Sequence, residues 1–281
     1  MTIGPDPISI IFFKSVRFGN LTTLIRIICY FIDNKVNLRL LYEIMKSIFL
    51  ADAHLRHPED QAYRDLVNFL RQLPDDLDNL FILGDFFEFW HGYRNVVFSH
   101  CIPILNVLKE LAAKGVKIHF FAGNHEVSSG PALDEIATFY TDDAVIEIDG
   151  RRLYLAHGDR LNPDDFLYRF WRGLLRHRIT LKLIDLAPTG LTLKIADFLS
   201  TDNKIVPNRK KFIPPQIFRS CAELLASPNN IQTIIIGHFH QERIESFPAI
   251  AKNSTLYILG DWLNQRSYLL LEDSRFSFHK A

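Results

Sequence analysis

The sequence predicts an α/β protein in which sheets and helices are stacked as a layered sandwich. Short, continuous apolar runs alternate with helix-like segments over the first half of the chain, and strand-like runs crowd its C-terminal end. Continuous rather than alternating apolar runs are typical of sheets that are covered on both faces. Alternation of strands and helices that gives way to closely spaced strands favours a layered α/β arrangement. With 281 residues, of which 48% are hydrophobic, the chain is long enough for one large domain or two small ones.

Eight apolar runs are predicted to be strands. They are Ser47–Ala51, Asn79–Leu83, Val116–Ala122, Arg152–Ala156, Gln232–Ile236, Leu256–Leu259, Ser267–Leu271 and Arg275–His279. Between the first three runs, helix-like patterns cover Ala62–Leu73 and Pro103–Gly115, and the glycine that ends the second pattern is a helix stop.

A helical insertion is predicted at about residues 161–226. Apolar residues recur at helix spacing over Phe166–Ala187 and again over 191–199. The segment from Arg160 to Arg219 contains twelve Lys and Arg against five Asp and Glu, so it is strongly basic in a chain whose formal net charge is zero. This basic block predicts either an anionic partner or a solvated helical surface.

Charge and cysteine content narrow the class of protein. The neutral chain as a whole gives no signature of nucleic-acid binding. Three widely separated cysteines predict neither a disulfide framework nor a cysteine-type zinc site, so a reducing, cytoplasmic compartment is expected. The N-terminus lacks the pattern of a secretory signal peptide, and its most apolar stretch, Leu21–Ile32, is shorter than the roughly 20 residues that a membrane-spanning helix needs.

Polar clusters follow five of the predicted strands. They are Asp52-Ala53-His54, Gly84-Asp85, Gly123-Asn124-His125-Glu126, His157-Gly158-Asp159 and His238-Phe239-His240. In open α/β sheets ligands bind at the carboxyl ends of strands, so five such ends in one sheet would converge on one crevice. Each Asp-x-His or His-x-His pair has a spacing of two, which turns both side chains of an extended segment the same way.

The pooled side chains suit metal ions. They combine carboxylate, amide and imidazole groups without cysteine, a set that favours Mn²⁺, Fe²⁺ or Zn²⁺. There are more of these side chains than one ion can bind. Two ions about 3.5–4 Å apart form a hydrolytic centre that acts on phosphate esters. We therefore predict two divalent metal ions, with Mn²⁺ favoured and Fe²⁺ or Zn²⁺ as alternatives.

The five clusters, read as DAH, GDFFE, GNHE, HGD and GHFH, resemble the motifs of the calcineurin-like metallophosphoesterase superfamily. The resemblance implies a four-layer α-β-β-α sandwich and a metal-dependent hydrolase. It also implies that one ion is held by Asp52, His54 and His240, that Asp85 bridges the ions, and that the other ion is held by Asn124, His157 and His238. His125 would be the catalytic histidine near the leaving-group oxygen, and the residues that support the ligands from behind would be Glu88, Glu126 and Asp159.

Within that superfamily, the stretches GDFFEFW, HGDRLNPDDFLYRFWR and LGDWLNQRSYLLLED are similar to the UDP-2,3-diacylglucosamine diphosphatase group of lipid A biosynthesis. This similarity implies that the insertion is a lid and that acyl chains lie between it and the core. The substrate would be an anionic glycolipid nucleotide, split into UMP and 2,3-diacylglucosamine 1-phosphate. The expected substrate contacts are Tyr168, Arg169, Arg172 and Lys204. Because a basic amphipathic helix can rest on anionic lipid, peripheral contact with the inner face of the cell membrane is expected as well.

One departure keeps other functions open. The best-characterised form of that group has arginine in the third motif, where this chain has His125 followed by Glu126. A general phosphodiesterase or phosphatase that acts on another nucleotide or lipid phosphate is therefore the alternative. A non-enzymatic scaffold is a minor alternative, because scaffold relatives lose metal ligands and this chain keeps the full set.

Residues 1–44 precede the first motif strand and carry no motif of their own. Domains of this superfamily begin close to that strand, so Met45 resembles a natural start and residues 45–281 are expected to form the domain. The preceding segment is interpreted as an extension of doubtful structure or as a misassigned start. A membrane-tethering role for Leu21–Ile32 is the alternative.

Overall fold

The computed structural model describes residues 45–188, 190, 212–251 and 254–281. Three predictions fall outside the described residues: the extension 1–44, the helical run 191–199 and the substrate contact Lys204. The predicted insertion is therefore described only at its two ends, over residues 161–188 with 190 and over residues 212–226.

Two mixed sheets form the centre of the described structure. One has the strand order β13 (Arg275–Lys280), β12 (Ser267–Glu272), β1 (Ser47–Leu50), β2 (Asn79–Leu83), β4 (Lys117–Phe121), β6 (Thr138–Tyr140). The other has the order β10 (Arg243–Ser246), β11 (Thr255–Ile258), β9 (Thr233–Ile236), β8 (Arg151–Ala156), β7 (Ala144–Ile148). Strands β1, β2, β4 and β6 run parallel, as do β8, β9 and β11, while β12, β13, β7 and β10 pair antiparallel. A short parallel pair, β3 (Trp90–His91) and β5 (Glu126–Ser128), lies apart from both.

Seven helices accompany the sheets in the described residues. They are α1 (Gln61–Arg71), α2 (Ile102–Ala113), α3 (Pro131–Asp134), α4 (Phe166–Leu175), α5 (Arg178–Leu186), α6 (Pro215–Leu225) and α7 (Trp262–Gln265), with a 3₁₀ turn at Ser99–Cys101. None of the helices in the described ranges is long and apolar enough to cross a lipid bilayer.

Three apolar cores fix the layer order. Between the sheets, Phe49 and Phe81 stack with ring centroids 4.6 Å apart and pack with Leu153 and Ile235 of the facing sheet. Residues of α1 and α2 such as Leu66 and Leu108 fill the outer face of the six-stranded sheet, and Ile217 and Cys221 of α6 fill the outer face of the other. The predicted four-layer α-β-β-α sandwich is confirmed. Helix α6, at the end of the predicted insertion, is thus one of the layers.

All eight predicted strands are present, and five more were not predicted. The additional strands are β3, β5, β6, β7 and β10. Most of their residues are half-buried or exposed, so they lack the continuous apolar runs from which the other eight were predicted.

The expectation that five strand ends belong to one sheet is wrong. Strands β1, β2 and β4 lie in the six-stranded sheet, whereas β8 and β9 lie in the other. The clusters still meet, because the two sheets stack with their carboxyl ends at the same edge of the sandwich. Continuous apolar runs look alike in either sheet, so the pattern does not reveal which strands pair.

Candidate metal centre

Backbone hydrogen bonds bring the strand ends together at one edge of the sandwich. The amide of Asp52 donates to the carbonyl of Gly84 at 3.0 Å, and the amide of His54 donates to the carbonyl of Asp85 at 2.9 Å. On the other sheet, the amide of Gly237 donates to the carbonyl of His157 at 2.8 Å. The loops that follow the strands therefore hold one another in register.

Five of the seven predicted metal ligands have left-handed backbone conformations. Their φ values are 54° for Asp52, 46° for His54, 50° for Asp85, 73° for His238 and 53° for His240. Such conformations are uncommon for residues other than glycine and cluster at functional sites. The pairs spaced by two therefore do not converge through extended geometry, as the sequence had indicated. They converge because the chain leaves the strand in a left-handed turn at each ligand.

Glycines next to the ligands leave no room for a side chain. A Cβ atom on Gly123 would lie 2.2 Å from Oδ1 of Asp85, and one on Gly84 would lie 2.5 Å from Nδ1 of His157. Gly84 also has a φ of 84°, which L side chains rarely adopt. These two positions require glycine because the ligands of neighbouring motifs approach the backbone closely.

The first ligand group consists of Asp52, His54 and His240. Oδ1 of Asp52 lies 3.2 Å from Nε2 of His240. One ligand atom from each of the three residues lies within 4.8 Å of the others. The second carboxylate oxygen of Asp52 accepts a hydrogen bond from the amide of His238 at 2.8 Å, which leaves Oδ1 directed at the group.

The second ligand group consists of Asp85, His157 and His238, with Asn124 beside it. Oδ2 of Asp85 lies 3.3 Å from Nε2 of His157, which in turn lies 3.1 Å from Nδ1 of His238 and 3.3 Å from Oδ1 of Asn124. Nδ1 of His157 lies 2.8 Å from the carbonyl of Leu83 and donates to it. That bond fixes the orientation of the ring, so Nε2 is the nitrogen that faces the group.

His125 lies beside both groups. Its Nε2 is 3.9 Å from Oδ2 of Asp85, and it forms a third potential ligand set with Asp85 and His54. Its Nδ1 lies 2.6 Å from the carbonyl of Glu88, to which it donates. The imidazole of His125 is therefore oriented with its Nε2 toward the carboxylate of Asp85.

Divalent metal ions fit these residues. Among the described residues, four buried atoms of the ligand groups have no hydrogen-bond partner: Oδ1 of Asp52, Nε2 of His54, Oδ2 of Asp85 and Nε2 of His240. Buried polar atoms without partners are costly unless an ion or water completes them. The four orphaned atoms are carboxylate oxygens and imidazole nitrogens, the donor types that Mn²⁺, Fe²⁺ and Zn²⁺ accept.

The carboxylates give the centre a strong preference for positive charge. Burial alone would lower the pKa of His157, but the Asp85 carboxylate outweighs burial and raises that pKa to about 10. Burial would raise the pKa of Asp52, yet the neighbouring His240 overrides it and holds the pKa well below its usual range. The buried acids stay ionised and draw cationic charge to their neighbours, as a site for divalent cations requires.

Glu88 and Glu126, both predicted to support the ligands, lie directly behind them. Oε2 of Glu88 is 3.6 Å from Nδ1 of His54, and its Oε1 accepts from Arg56 at 2.8 Å. The carboxylate of Glu126 accepts four backbone amides, those of Asp85, Phe86, Phe87 and Gly123, at 2.8–3.1 Å. Glu126 thus ties the second motif to the third.

Asp261 is a supporting residue that the sequence analysis did not identify. Its Oδ2 lies 3.6 Å from Nδ1 of His240, in the same relation that Glu88 has to His54. Its Oδ1 accepts from the amides of Asn264 and Gln265 at the start of α7. The available signal was Gly260-Asp261 directly after the predicted strand Leu256–Leu259, the same pattern as Gly84-Asp85 after β2.

The predicted substrate contacts lie on α4, and two of them bond to the body. The hydroxyl of Tyr168 donates to Oδ2 of Asp159, and Nε of Arg172 lies 2.9 Å from the same oxygen. Arg172 also reaches Oδ1 of Asp142 at 2.7 Å. Asp159 therefore anchors α4 beside His157, while Arg169 is exposed on the same helix.

A groove of about 650 Å³ runs along α4. Its lining combines cations and aromatic rings: Thr141, Asp142, Arg160, Phe166, Arg169, Phe170, Arg172, Gly173 and Arg176. This volume lies in the range of small-molecule sites.

Known proteins are similar in sequence to this chain over most of its length. The sequence model of calcineurin-like phosphoesterases matches residues 45–242. The UDP-2,3-diacylglucosamine hydrolase of Aliivibrio fischeri is 27% identical, with 84% of this chain and 98% of that protein covered, and that of Haemophilus ducreyi is 28% identical, with 83% and 98% covered. Among solved structures, vacuolar protein sorting 29 from Cryptosporidium parvum is 11% identical, with a TM-score of 0.42, and 84% of this chain and 95% of that chain are covered. The family match spans all five clusters, so the chain belongs to the calcineurin-like phosphoesterases and is a metal-dependent hydrolase of phosphoester bonds.

Proposed function

We propose that this enzyme hydrolyses the diphosphate of UDP-2,3-diacylglucosamine, with UMP and 2,3-diacylglucosamine 1-phosphate as products. The observation that carries the proposal is the attachment of α4 to the metal centre. The hydroxyl of Tyr168 donates to Asp159 and Arg172 forms an ion pair with it, two residues after the proposed ligand His157, so a basic and aromatic helix is attached beside the centre. A diphosphate-linked glycolipid needs cations beside the metal ions and apolar surface for its acyl chains, and the groove along α4 offers both. Curated relatives that carry this activity in their names match over nearly their whole length.

The chain's own residues would divide the work as follows. Asp52, His54 and His240 would hold one ion, Asn124, His157 and His238 would hold the other, and Asp85 lies between the groups. When bound, two divalent ions lower the pKa of water and offset the negative charge that builds on the phosphoryl oxygens. Mn²⁺ is the favoured ion, with Fe²⁺ and Zn²⁺ as alternatives.

His125 is placed to act on the leaving group. Its Nδ1–H is engaged by the carbonyl of Glu88, so Nε2 faces the reacting region. The oxygen of water adds to one phosphorus and the water releases a proton to solvent, while the bridging P–O bond breaks and the departing phosphate keeps the electron pair. From Nε2, His125 stabilises that oxygen or gives it a proton. Arg169, with Lys204 beyond the described residues, would contact the substrate alongside Tyr168 and Arg172.

The exposed side of α4 and α5 supports peripheral contact with the inner face of the cell membrane. Phe166 is 75% exposed and Leu186 is 82% exposed, and arginines lie between the apolar side chains. An amphipathic basic helix of this kind binds anionic lipid. Co-sedimentation with phosphatidylglycerol vesicles, but not with phosphatidylcholine vesicles, is the expected result, and equal recovery in both supernatants would contradict it.

The alternative is a general phosphodiesterase acting on another nucleotide or lipid phosphate. His125 favours it, because an imidazole near the leaving group suits simple diesters as well as diphosphates. The two functions differ in what α4 does, since a general phosphodiesterase has no need of its aromatic and basic side chains.

Metal-free enzyme should be assayed on UDP-2,3-diacylglucosamine and on bis-p-nitrophenyl phosphate, each with and without Mn²⁺. UMP release that requires Mn²⁺, falls about tenfold or more in Tyr168→Ala, and exceeds diester turnover is expected. Faster turnover of the diester, with Tyr168→Ala unchanged, would favour the alternative. No metal-dependent turnover on either substrate would leave only the binding scaffold.

A further inference from the structure

We propose that Arg176 is a positioning residue that holds Asn124 and His125 in place from outside the metal centre. The proposal rests on the function proposed above, because it assigns to Arg176 the support of the second ion. It gives the insertion a task in building the centre, beyond contact with substrate.

Arg176 directly follows α4, and its side chain is only 10% exposed. Its Nη2 donates to the carbonyl of Gly123 at 2.5 Å and to the carbonyl of Glu126 at 2.6 Å. Its Nη1 donates to the carbonyl of Thr141 at 2.7 Å. One guanidinium nitrogen thus joins two carbonyls that bracket the dipeptide Asn124-His125.

The bracketed dipeptide carries two predicted functions. Asn124 presents Oδ1 to the second ligand group, 3.3 Å from Nε2 of His157, and His125 faces the reacting region. Asn124 itself is exposed, so little packing fixes its side chain. The position of its amide therefore depends on how firmly the backbone on either side is held.

The segment is also held from the inner side, so the loop should fold without Arg176. Glu126 accepts from the amide of Gly123 at 2.9 Å, and Oδ1 of Asp85 accepts from the amide of His125 at 3.1 Å. Arg176 adds the outer constraint. Removing it should loosen the dipeptide by a fraction of an ångström and leave the first ligand group untouched.

The partners of Arg176 argue against a primary role in binding substrate phosphate. Three of its donors already point at carbonyl oxygens, and among the described residues the nearest carboxylate oxygen, Oδ1 of Asp142, is 4.0 Å from Nη1. Burial and then the neighbouring Arg172 lower the pKa of Arg176, so the cation is costly where it lies. The carbonyls offset that cost only in this one geometry.

The test is a titration of metal-free protein with Mn²⁺ alone, without substrate. Calorimetry gives the two affinities, and electron paramagnetic resonance gives the signal of a spin-coupled Mn²⁺ pair. In Arg176→Met, which keeps the apolar stem and loses every donor, the weaker binding step should fall about 10–100-fold and the coupled signal should disappear at two equivalents. The stronger step should stay within about twofold. Arg176→Lys, which cannot join both carbonyls with one planar group, should fall between the wild type and Arg176→Met.

Arg178→Met is the matched control, because Arg178 is exposed on the adjoining helix. It should bind both ions as the wild type does. Asn124→Ala supplies a second test. If Arg176 acts through Asn124, the loss of affinity in the double variant should be clearly smaller than the sum of the two single losses, in free-energy terms.

The outcomes separate the inference from the proposed function. Wild-type binding of both ions by Arg176→Met, with only the KM for substrate raised, would make Arg176 a substrate contact and overturn the inference. Equal weakening of both binding steps, with a lower melting temperature of the metal-free protein, would overturn it in favour of general destabilisation. If the wild type itself binds fewer than two ions, that result would contradict the dinuclear function proposed above, and with it the role of Arg176.

Discussion

The sandwich and the insertion helices are built by different physics. In the sandwich, buried aromatic and aliphatic side chains fill three cores, and all the described ligand groups grow from its strand ends. In α4 and α5 no residue is buried, and Phe166, Phe170 and Leu183 are largely exposed. Apolar packing thus determines where the metal centre is, whereas the insertion helices depend on contacts of another kind.

Those contacts are polar and lie on the side that faces the centre. Arg172 bonds to Asp159 and Asp142, and Arg176 bonds to carbonyls of the third motif. On α5, Oδ1 of Asp185 lies 2.9 Å from Nε2 of His91, whose Nδ1 lies 3.0 Å from Oγ of Ser128. A polar attachment of this kind is specific in direction, which would suit an element that opens for the proposed glycolipid.

The largest expected effect on turnover comes from a substitution in the sandwich. Asp85→Asn removes the carboxylate shared by two ligand sets and should reduce turnover at least about 10³-fold, or about 4 kcal/mol, because charge stabilisation by the ions is lost. Turnover with Mn²⁺ and metal content by elemental analysis check it. Asp75→Asn, the same change at an exposed position, is the control. Full metal content and turnover in Asp85→Asn would refute the dinuclear centre.

A matched pair of phenylalanine substitutions tests the comparison directly. Phe81→Ala opens a cavity between the sheets and should lower the free energy of unfolding by about 3–5 kcal/mol. Phe170→Ala, on a side chain that is 55% exposed, should change it by less than about 0.5 kcal/mol. Urea denaturation of the metal-free protein measures both. A loss above about 1.5 kcal/mol in Phe170→Ala would mean that α4 is packed as a core helix after all.

A smaller effect is expected where α5 meets the sandwich. Asp185→Ala leaves Nε2 of buried His91 without its partner and should cost about 1 kcal/mol of local stability, because Asp185 is half-exposed. Amide exchange of α5 should then be about fivefold faster, with the sandwich strands unchanged. Lys182→Ala on the same helix is the control. Unchanged exchange in Asp185→Ala would show that α5 is held by something other than this pair.

The smallest effect is expected from removal of residues 1–44. We propose that residues 45–281 form the catalytic domain, since the family model begins at residue 45 and every ligand follows it. The shortened chain should retain turnover within about twofold, as expected for changes remote from the site. Loss of folding or of turnover would assign the extension a structural role.

Much of the fold and most of the site were predictable, because both depend on local patterns. Buried strands such as Ile234–Ile236 appear as continuous apolar runs, and each ligand motif follows such a run. The pairing of strands was not predictable, because it depends on contacts between distant segments. Asp261 was missed for a related reason: its partner His240 lies in another motif, and only the fold brings the two together. The left-handed turns were not predicted, because the spacing of two in the ligand pairs was interpreted as extended backbone.

At the left-handed turns, the backbone conformation that places the proposed ligands also lowers the stability of the fold. Each left-handed residue other than glycine costs about 1 kcal/mol or more of backbone strain, and five predicted ligands bear it. Replacement of Asp52, His54, Asp85 or His240 by glycine relieves the backbone and removes a buried polar atom that has no hydrogen-bond partner, while it destroys the metal site. Selection for thermal stability alone would therefore tend to replace these ligands first. The expected result is an inactive variant whose melting temperature is higher than that of the parent.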